Sequence, residues 1–146
     1  MAKSLLVKEE ELITIVLFYK SKANKFGVRQ YKIIDEDEAK ALIAKGDKDI
    51  DSLTTKWVIP TWQSNSYILR SSTFYSPSEG INRLDYNKYQ DNLFKTCLKE
   101  WDIVDENDKK VTINNESIGN LPSVIATALL ELYEKSLTIE DEDQKK

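Results

Sequence analysis

The chain contains no histidine. Histidine is the usual general base near neutral pH and the commonest ligand of zinc and its neighbours, so catalytic dyads and triads built on it are excluded. The single cysteine, Cys97, excludes an intramolecular disulfide and any cysteine-cluster metal site. The four glycines form no phosphate-binding loop, and SPSEG, residues 76 to 80, lacks the lysine and spacing of a P-loop. No apolar run approaches the roughly 20 residues that a membrane-spanning helix needs. The start, MAKSLLVKEEELITIV, is interrupted by three glutamates and leads to no small-residue cleavage site, so no signal peptide and a cytoplasmic location are expected. Cationic charge is also in deficit, with 21 Lys and Arg against 25 Asp and Glu for a net charge of −4. That balance argues against a broad grip on nucleic acid, and no basic patch is read as concentrated.

The 146 residues, 40% hydrophobic and 32% charged, match one domain large enough for its own core. LITIVLFY, residues 12 to 19, is rich in β-branched and aromatic residues and reads as a buried strand. KSKANKFG supplies a turn, and VRQYKII, residues 28 to 34, completes a β-hairpin with a loop of about five or more residues. Asp35 caps a short helix through DEDEAKALIAKG, with acids in its first turn and Gly46 at its end. DKDIDSLTT reads as a polar connector, followed by a brief extended piece before Pro60. Thr61 caps a helix expected from Trp62 to about Phe74. Asp85 caps the best amphipathic segment, YNKYQDNLFKTCLKEW, whose Tyr86, Tyr89, Leu93, Cys97 and Trp101 form one stripe. VTI, residues 111 to 113, reads as extended and NNESIGN as connective. A last helix runs from Leu121 to Leu137 with Pro122 in its first turn. The predicted fold is α+β, an N-terminal β-hairpin with a short helix followed by a bundle of about three helices. A single domain over residues 1–137 is expected, with sub-lobes 1–50 and 56–137 as the alternative, and a disordered acidic tail over 138–146.

No reactive constellation emerges from the side chains, and an enzyme is not expected. DKDID and DENDKK lack the ligand spacing and central glycine of an EF-hand, so the carboxylate clusters read as helix caps and solvated loops, with no metal or other cofactor. Cys97 lies on an apolar stripe and reads as an inert buried thiol. What stands out is aromatic: Trp57 and Trp62 flank Pro60 in KWVIPTWQSNSY. Both read first as core where chain segments meet, with a partner groove as the alternative, because Trp and Tyr dominate binding hot spots. Trp101 reads as core. Trp57, Trp62, Tyr67, Phe74 and Tyr75 are the candidate partner-binding residues. Stacking of single-stranded nucleic acid along Tyr67, Phe74, Tyr75, Tyr86 and Tyr89 beside Arg70 and Arg83 is the less favoured use of the same aromatics.

One resemblance goes further. From KWVIPTW to LLELYEKSL, residues 56 to 137, the chain resembles small proteins of tailed bacteriophages, the tail assembly chaperones especially. The resemblance rests on the aromatic-proline entry WVIPTW, a helix closing on LKEWDI, the turn DENDKKVTI and a closing helix that opens NLPSVIATALLELY. It implies a non-enzymatic protein made in the infected cytoplasm. Such a protein binds the long helical tape measure protein and the growing tail, then leaves, and self-associates as a homo-oligomer. A structural tail, neck or baseplate subunit is the nearest competitor, and a small inhibitor of a host protein fits the composition equally well.

Overall fold

Leu12–Ala23 forms the longest strand, β1, and its side chains alternate: Ile15 and Leu17 are buried, whereas Leu12, Thr14 and Val16 face outward. The expected buried strand is present, and it is buried on one face. The computed structural model describes residues 5–9 and 11–138. The acidic stretch 139–146 of the expected tail lies outside the described residues.

A five-residue turn, 24–28, leads into β2, Arg29–Ile34, which pairs antiparallel with β1 from Phe18↔Ile34 to Ala23↔Arg29. The expected hairpin is present. Its turn is held by the Asn24 side chain, whose Oδ1 accepts from the backbone N–H groups of Phe26 at 2.9 Å and Val28 at 3.0 Å. Gly27 sits there at φ 78°, a conformation that costs glycine little because it has no Cβ. Helix α1, Glu36–Ala44, begins where Asp35 accepts from the backbone of Asp37, with three acids in its first turn set against the helix dipole. It lies against β1 and β3 and buries Ala39.

Strand β3, Ile50–Val58, corrects the reading of DKDIDSLTT as a connector. It pairs antiparallel with β1 on one side and with β6, Leu98–Trp101, on the other, giving a sheet of order β2-β1-β3-β6. The strand is polar in sequence because Asp51, Ser52, Thr54 and Lys56 are not buried and one of its three buried positions, Leu53, Thr55 and Trp57, is a threonine. The Thr55 hydroxyl donates to the Ile15 carbonyl at 3.0 Å and accepts from Trp57 Nε1 at 2.7 Å, so its burial leaves no polar atom unsatisfied.

Helix α2, Trp62–Ser71, starts in a capping box between Thr61 and Ser64. It stops short of Phe74. The hydroxyls of Ser72 and Thr73 donate back to the carbonyls of Ile68 and Leu69, each at 2.6 Å, and the chain then turns extended. β4, Thr73–Ser76, and β5, Ile81–Leu84, form a second hairpin around SPSEG, with Gly80 at φ 67°. Helix α3, Tyr86–Cys97, is capped by Asp85 and ends four residues before the expected Trp101. A strand replaces its last turn. The spacing of Cys97 and Trp101 mimics a helical stripe, but a β-bulge between Lys56 and Trp57 shifts the register so that both Leu98 and Trp101 are buried from β6. The resemblance-based expectation of a helix closing on LKEWDI is corrected by the same strand.

NNESIGN contains a short helix, α4, Asn115–Gly119, capped by Asn114 and Ser117 in place of the expected loop. Residues 111–113 join no named strand. Helix α5, Ser123–Ser136, follows Pro122 much as expected. The result is mixed α+β, but not a three-helix bundle: the described residues hold five helices, a four-stranded sheet and a two-stranded hairpin. The core unites the inward face of the sheet with α2, α3 and α5, and Trp57, Ile68, Cys97, Leu129 and Tyr133 are all inaccessible to solvent. No helix among the described residues is long and apolar enough to cross a membrane.

Candidate functional site

The five aromatic candidates separate into one core residue and four surface residues. Trp57 is fully buried; its ring lies 4.5 Å from that of Tyr133 and 5.5 Å from that of Phe94. Trp101 is also core and donates from Nε1 to the Val111 carbonyl at 2.7 Å. Trp62 is the correction. Expected first as core, it is 88% exposed at the first position of α2. With the helix starting at this point, the six positions between them place residue 62 about 120° round α2 from the buried Ile68.

Tyr67, Phe74 and Tyr75 are exposed as well, and Leu69, Ile81, Leu84 and Tyr86 join them in the same stretch of chain. Helical spacing puts Trp62 and Leu69, seven positions apart, on one face of α2, while Tyr67 lies about 140° round the helix from Trp62. In the hairpin, Phe74 and Tyr75 are consecutive and so point to opposite faces. From the register Thr73↔Leu84, Phe74↔Arg83, Tyr75↔Asn82 and Ser76↔Ile81, one face carries Phe74 with Ile81 on a diagonal and the other carries Tyr75 with Leu84. The candidates therefore do not converge on one pocket. They stud a projection built from α2 and the β4–β5 hairpin.

That projection is anchored at its base. Asn92 on α3 donates from its side chain to the Ser72 hydroxyl at 3.0 Å, the Asp85 N–H donates to the Ser72 carbonyl at 2.8 Å, and Ile68 is buried against the core. Beyond the base every residue of both strands except Ser76 is exposed. A two-stranded hairpin alone is marginally stable in water, and here it leaves apolar side chains on both faces. Leu69, Ile81 and Leu84 are added to the sequence-derived candidates by their exposure. The turn SPSEG between TFYS and INRL was the available signal for the hairpin.

Comparison with known proteins returns nothing: no family model, curated protein or solved structure matches the chain.

The alternative chemistries find little in the geometry. Among the described residues no group of three or more His, Cys, Asp or Glu side chains is placed to hold a metal ion. The carboxylates are engaged locally: Asp35 and Asp85 cap helices, Asp105 Oδ1 accepts from the backbone of Asn107 and Lys109, and Asp47 pairs with Lys20 at 2.6 Å. Cys97 is inaccessible, and burial pushes its thiol pKa up, away from the reactive thiolate. Arg83, opposite Phe74 in the hairpin, gives its guanidinium to Glu79 through Nε at 2.8 Å, which weakens it as a partner for a stacked base. A cleft of about 510 Å³ beside α4 has Ile103, Val111, Leu121 and Pro122 in its lining, with Glu116 as its one titratable side chain.

Proposed function

We propose that this chain is a non-enzymatic protein-binding factor that captures an apolar segment of a protein partner on the α2 and β4–β5 projection. The observation that carries the proposal is the exposure of Trp62, Phe74 and Tyr75 on an element with too little core of its own. Large aromatics cost solvation free energy when left bare and are the residues that dominate binding hot spots. The resemblance of residues 56–137 to tail assembly chaperones supplies the partner class: the long helical tape measure protein, met in the cytoplasm of an infected cell during tail assembly. An amphipathic helix laid against Trp62 and Leu69 of α2 would cover them as a helix is covered in a groove.

The test is co-expression of the tagged chain with its native gene neighbourhood, followed by affinity purification and mass spectrometry. Recovery of a long helical tail protein, with the tagged chain missing from finished particles, supports the chaperone reading. Incorporation into particles would support a structural subunit instead, and recovery of a host protein would support an inhibitor.

A further inference from the structure

The β1–β2 ribbon is a strongly basic element in an acidic chain. Residues 20–32, KSKANKFGVRQYK, hold Lys20, Lys22, Lys25, Arg29 and Lys32 and no carboxylate, so the remainder of the chain, whose total is −4, carries −9. Charge weighed over the whole chain hides this segregation, and the expectation that no basic patch is concentrated is corrected by it.

The sheet leaves the ribbon standing free. β3 pairs with β1 only as far as Lys20, opposite Ile50, whereas β1 and β2 continue together to Ala23↔Arg29. From residue 22 to residue 30 only Asn24 is less than exposed. Asn24 is the residue that pins the turn, and it holds Phe26 out at the tip with the Lys25 ammonium 5.1 Å from its ring centroid. Lys20 pairs with Asp47, but Lys22, Lys25, Arg29 and Lys32 meet no carboxylate among the described residues. Lys20 and Lys32 are directly opposite each other in the register, where like charges repel. Asp47 relieves that repulsion from the Lys20 side, and Lys32 is left without a carboxylate of its own among the described residues. Lys20, Lys22, Lys25 and Lys32 line a shared concavity of about 540 Å³.

We propose that this ribbon binds duplex nucleic acid through its phosphate backbone, with Lys22, Lys25, Arg29 and Lys32 as the phosphate contacts. The distribution of charge favours a duplex over an acidic peptide. The register puts Lys22 and Lys32 on one face and Arg29 on the other, with Lys25 at the turn. A peptide strand would satisfy one face, whereas a groove presents a row of phosphates on each side, and the major groove, about 12 Å wide, admits a two-stranded β-ribbon. The acidic body does not cancel this attraction. The ribbon reaches about 10 Å of strand beyond Lys20 before its turn, more than the Debye length of about 8 Å at physiological salt, so Arg29 and Lys25 stand clear of the body, while Lys22 lies about 7 Å out and Lys32, opposite Lys20, at the base. The site rests on the ribbon alone and is independent of the aromatic projection.

The experiment is fluorescence anisotropy of the full chain with a labelled mixed-sequence DNA duplex of about 20 base pairs, from about 50 to about 200 mM salt. Four phosphate contacts predict a slope of log K against log salt near about −3.6, a weakening of about 10²-fold across that range. The variant K22Q/K25Q/R29Q/K32Q loses at least about tenfold in affinity at the lower salt with its far-UV circular dichroism unchanged. The double variants K22Q/K25Q and R29Q/K32Q, which disturb the fold less, each make the slope shallower by about 2. No duplex binding at the lower salt, or binding with the same slope in the double variants, overturns the proposal. Tighter binding to polyglutamate or to phosphatidylserine vesicles than to duplex overturns it in favour of an acidic protein segment or a lipid surface.

Discussion

Trp57, in the centre of the sheet, stacks on Tyr133 of the last helix with ring centroids 4.5 Å apart and planes 17° from parallel. The two residues are 76 positions apart in sequence, and their contact ties β3 to α5. The Tyr133 hydroxyl closes the arrangement by donating to the Val58 carbonyl at 2.8 Å. W57A removes a fully buried large ring and is expected to cost about 3–5 kcal/mol, whereas Y133F keeps the stack, loses one hydrogen bond and costs about 1 kcal/mol. Urea denaturation of both variants checks the ratio. Equal losses would mean that the hydroxyl, and not the ring contact, holds the helix to the sheet.

Thr55 gives a sharper version of the same test. Its hydroxyl serves both the Ile15 carbonyl and Trp57 Nε1. T55V matches the shape but leaves the buried indole N–H without its acceptor, and about 1–3 kcal/mol is expected to be lost. T55S keeps the hydroxyl and is expected to lose less. Urea midpoints for the pair separate the polar role from the packing role.

Much of this architecture was legible wherever local chemistry and tertiary packing agreed. Asp35, Thr61 and Asp85 each cap the helix that their position suggests, and the first hairpin follows from β-branched runs on either side of a glycine turn. The misses arise where packing overrides pattern. Leu98 and Trp101 sit at a helical spacing, yet an extra residue in β6, Lys99, opposite the step from Lys56 to Trp57 accommodates them as a strand. Asp51, Ser52 and Thr54 make a central strand look like a linker, and Thr55 adds to it because its burial depends on the Ile15 carbonyl, 40 positions away, as well as on Trp57. Of the partner candidates, Trp57 and Trp62 lie five positions apart on either side of Pro60 and have opposite fates. Only the sheet on one side and the capping box on the other distinguish them.

Cys97 is expected to be silent in the native protein. It has no solvent exposure, and burial raises its pKa. Ellman's reagent at neutral pH should leave it unmodified for as long as the chain stays folded and label one thiol per chain in denaturant. Rapid labelling of the folded chain would show that α3 and β6 open locally around it.

Alkaline pH should weaken the fold through its tyrosines. Burial, then the Asp51 carboxylate that accepts from its hydroxyl at 3.3 Å, pushes the Tyr19 pKa up to about 12, and burial raises Tyr133 and Tyr89 also. A group whose folded pKa is raised keeps its proton longer in the native state. Its stabilisation is complete below the unfolded value near about 10 and is lost as pH rises through the folded value. The urea midpoint is therefore expected to be insensitive to Tyr19 below pH of about 10 and to fall between about 10 and about 12, less steeply in Y19F. An identical decline in Y19F would assign the alkaline loss to the other tyrosines.

Trp62 offers a direct optical report on the proposed docking surface. Of the three tryptophans, Trp57 is 0% exposed and Trp101 3%, while Trp62 is 88% exposed. Acrylamide should therefore quench one indole and spare two in the free protein, and W62A should abolish the quenchable fraction. Because Trp62 supports no packing in the free chain, W62A is expected to change stability by no more than about 0.5 kcal/mol. A hot-spot aromatic, by contrast, costs about 2 kcal/mol or more of binding when truncated, roughly a thirtyfold loss of affinity. On the proposed reading, titration with an apolar helical segment of a tape measure protein should thus shift the Trp62 emission to the blue and protect it from acrylamide. Saturating partner that leaves Trp62 fully quenchable would move the docking surface off α2, and W62A binding with unchanged affinity would remove Trp62 from it even if the hairpin remains covered.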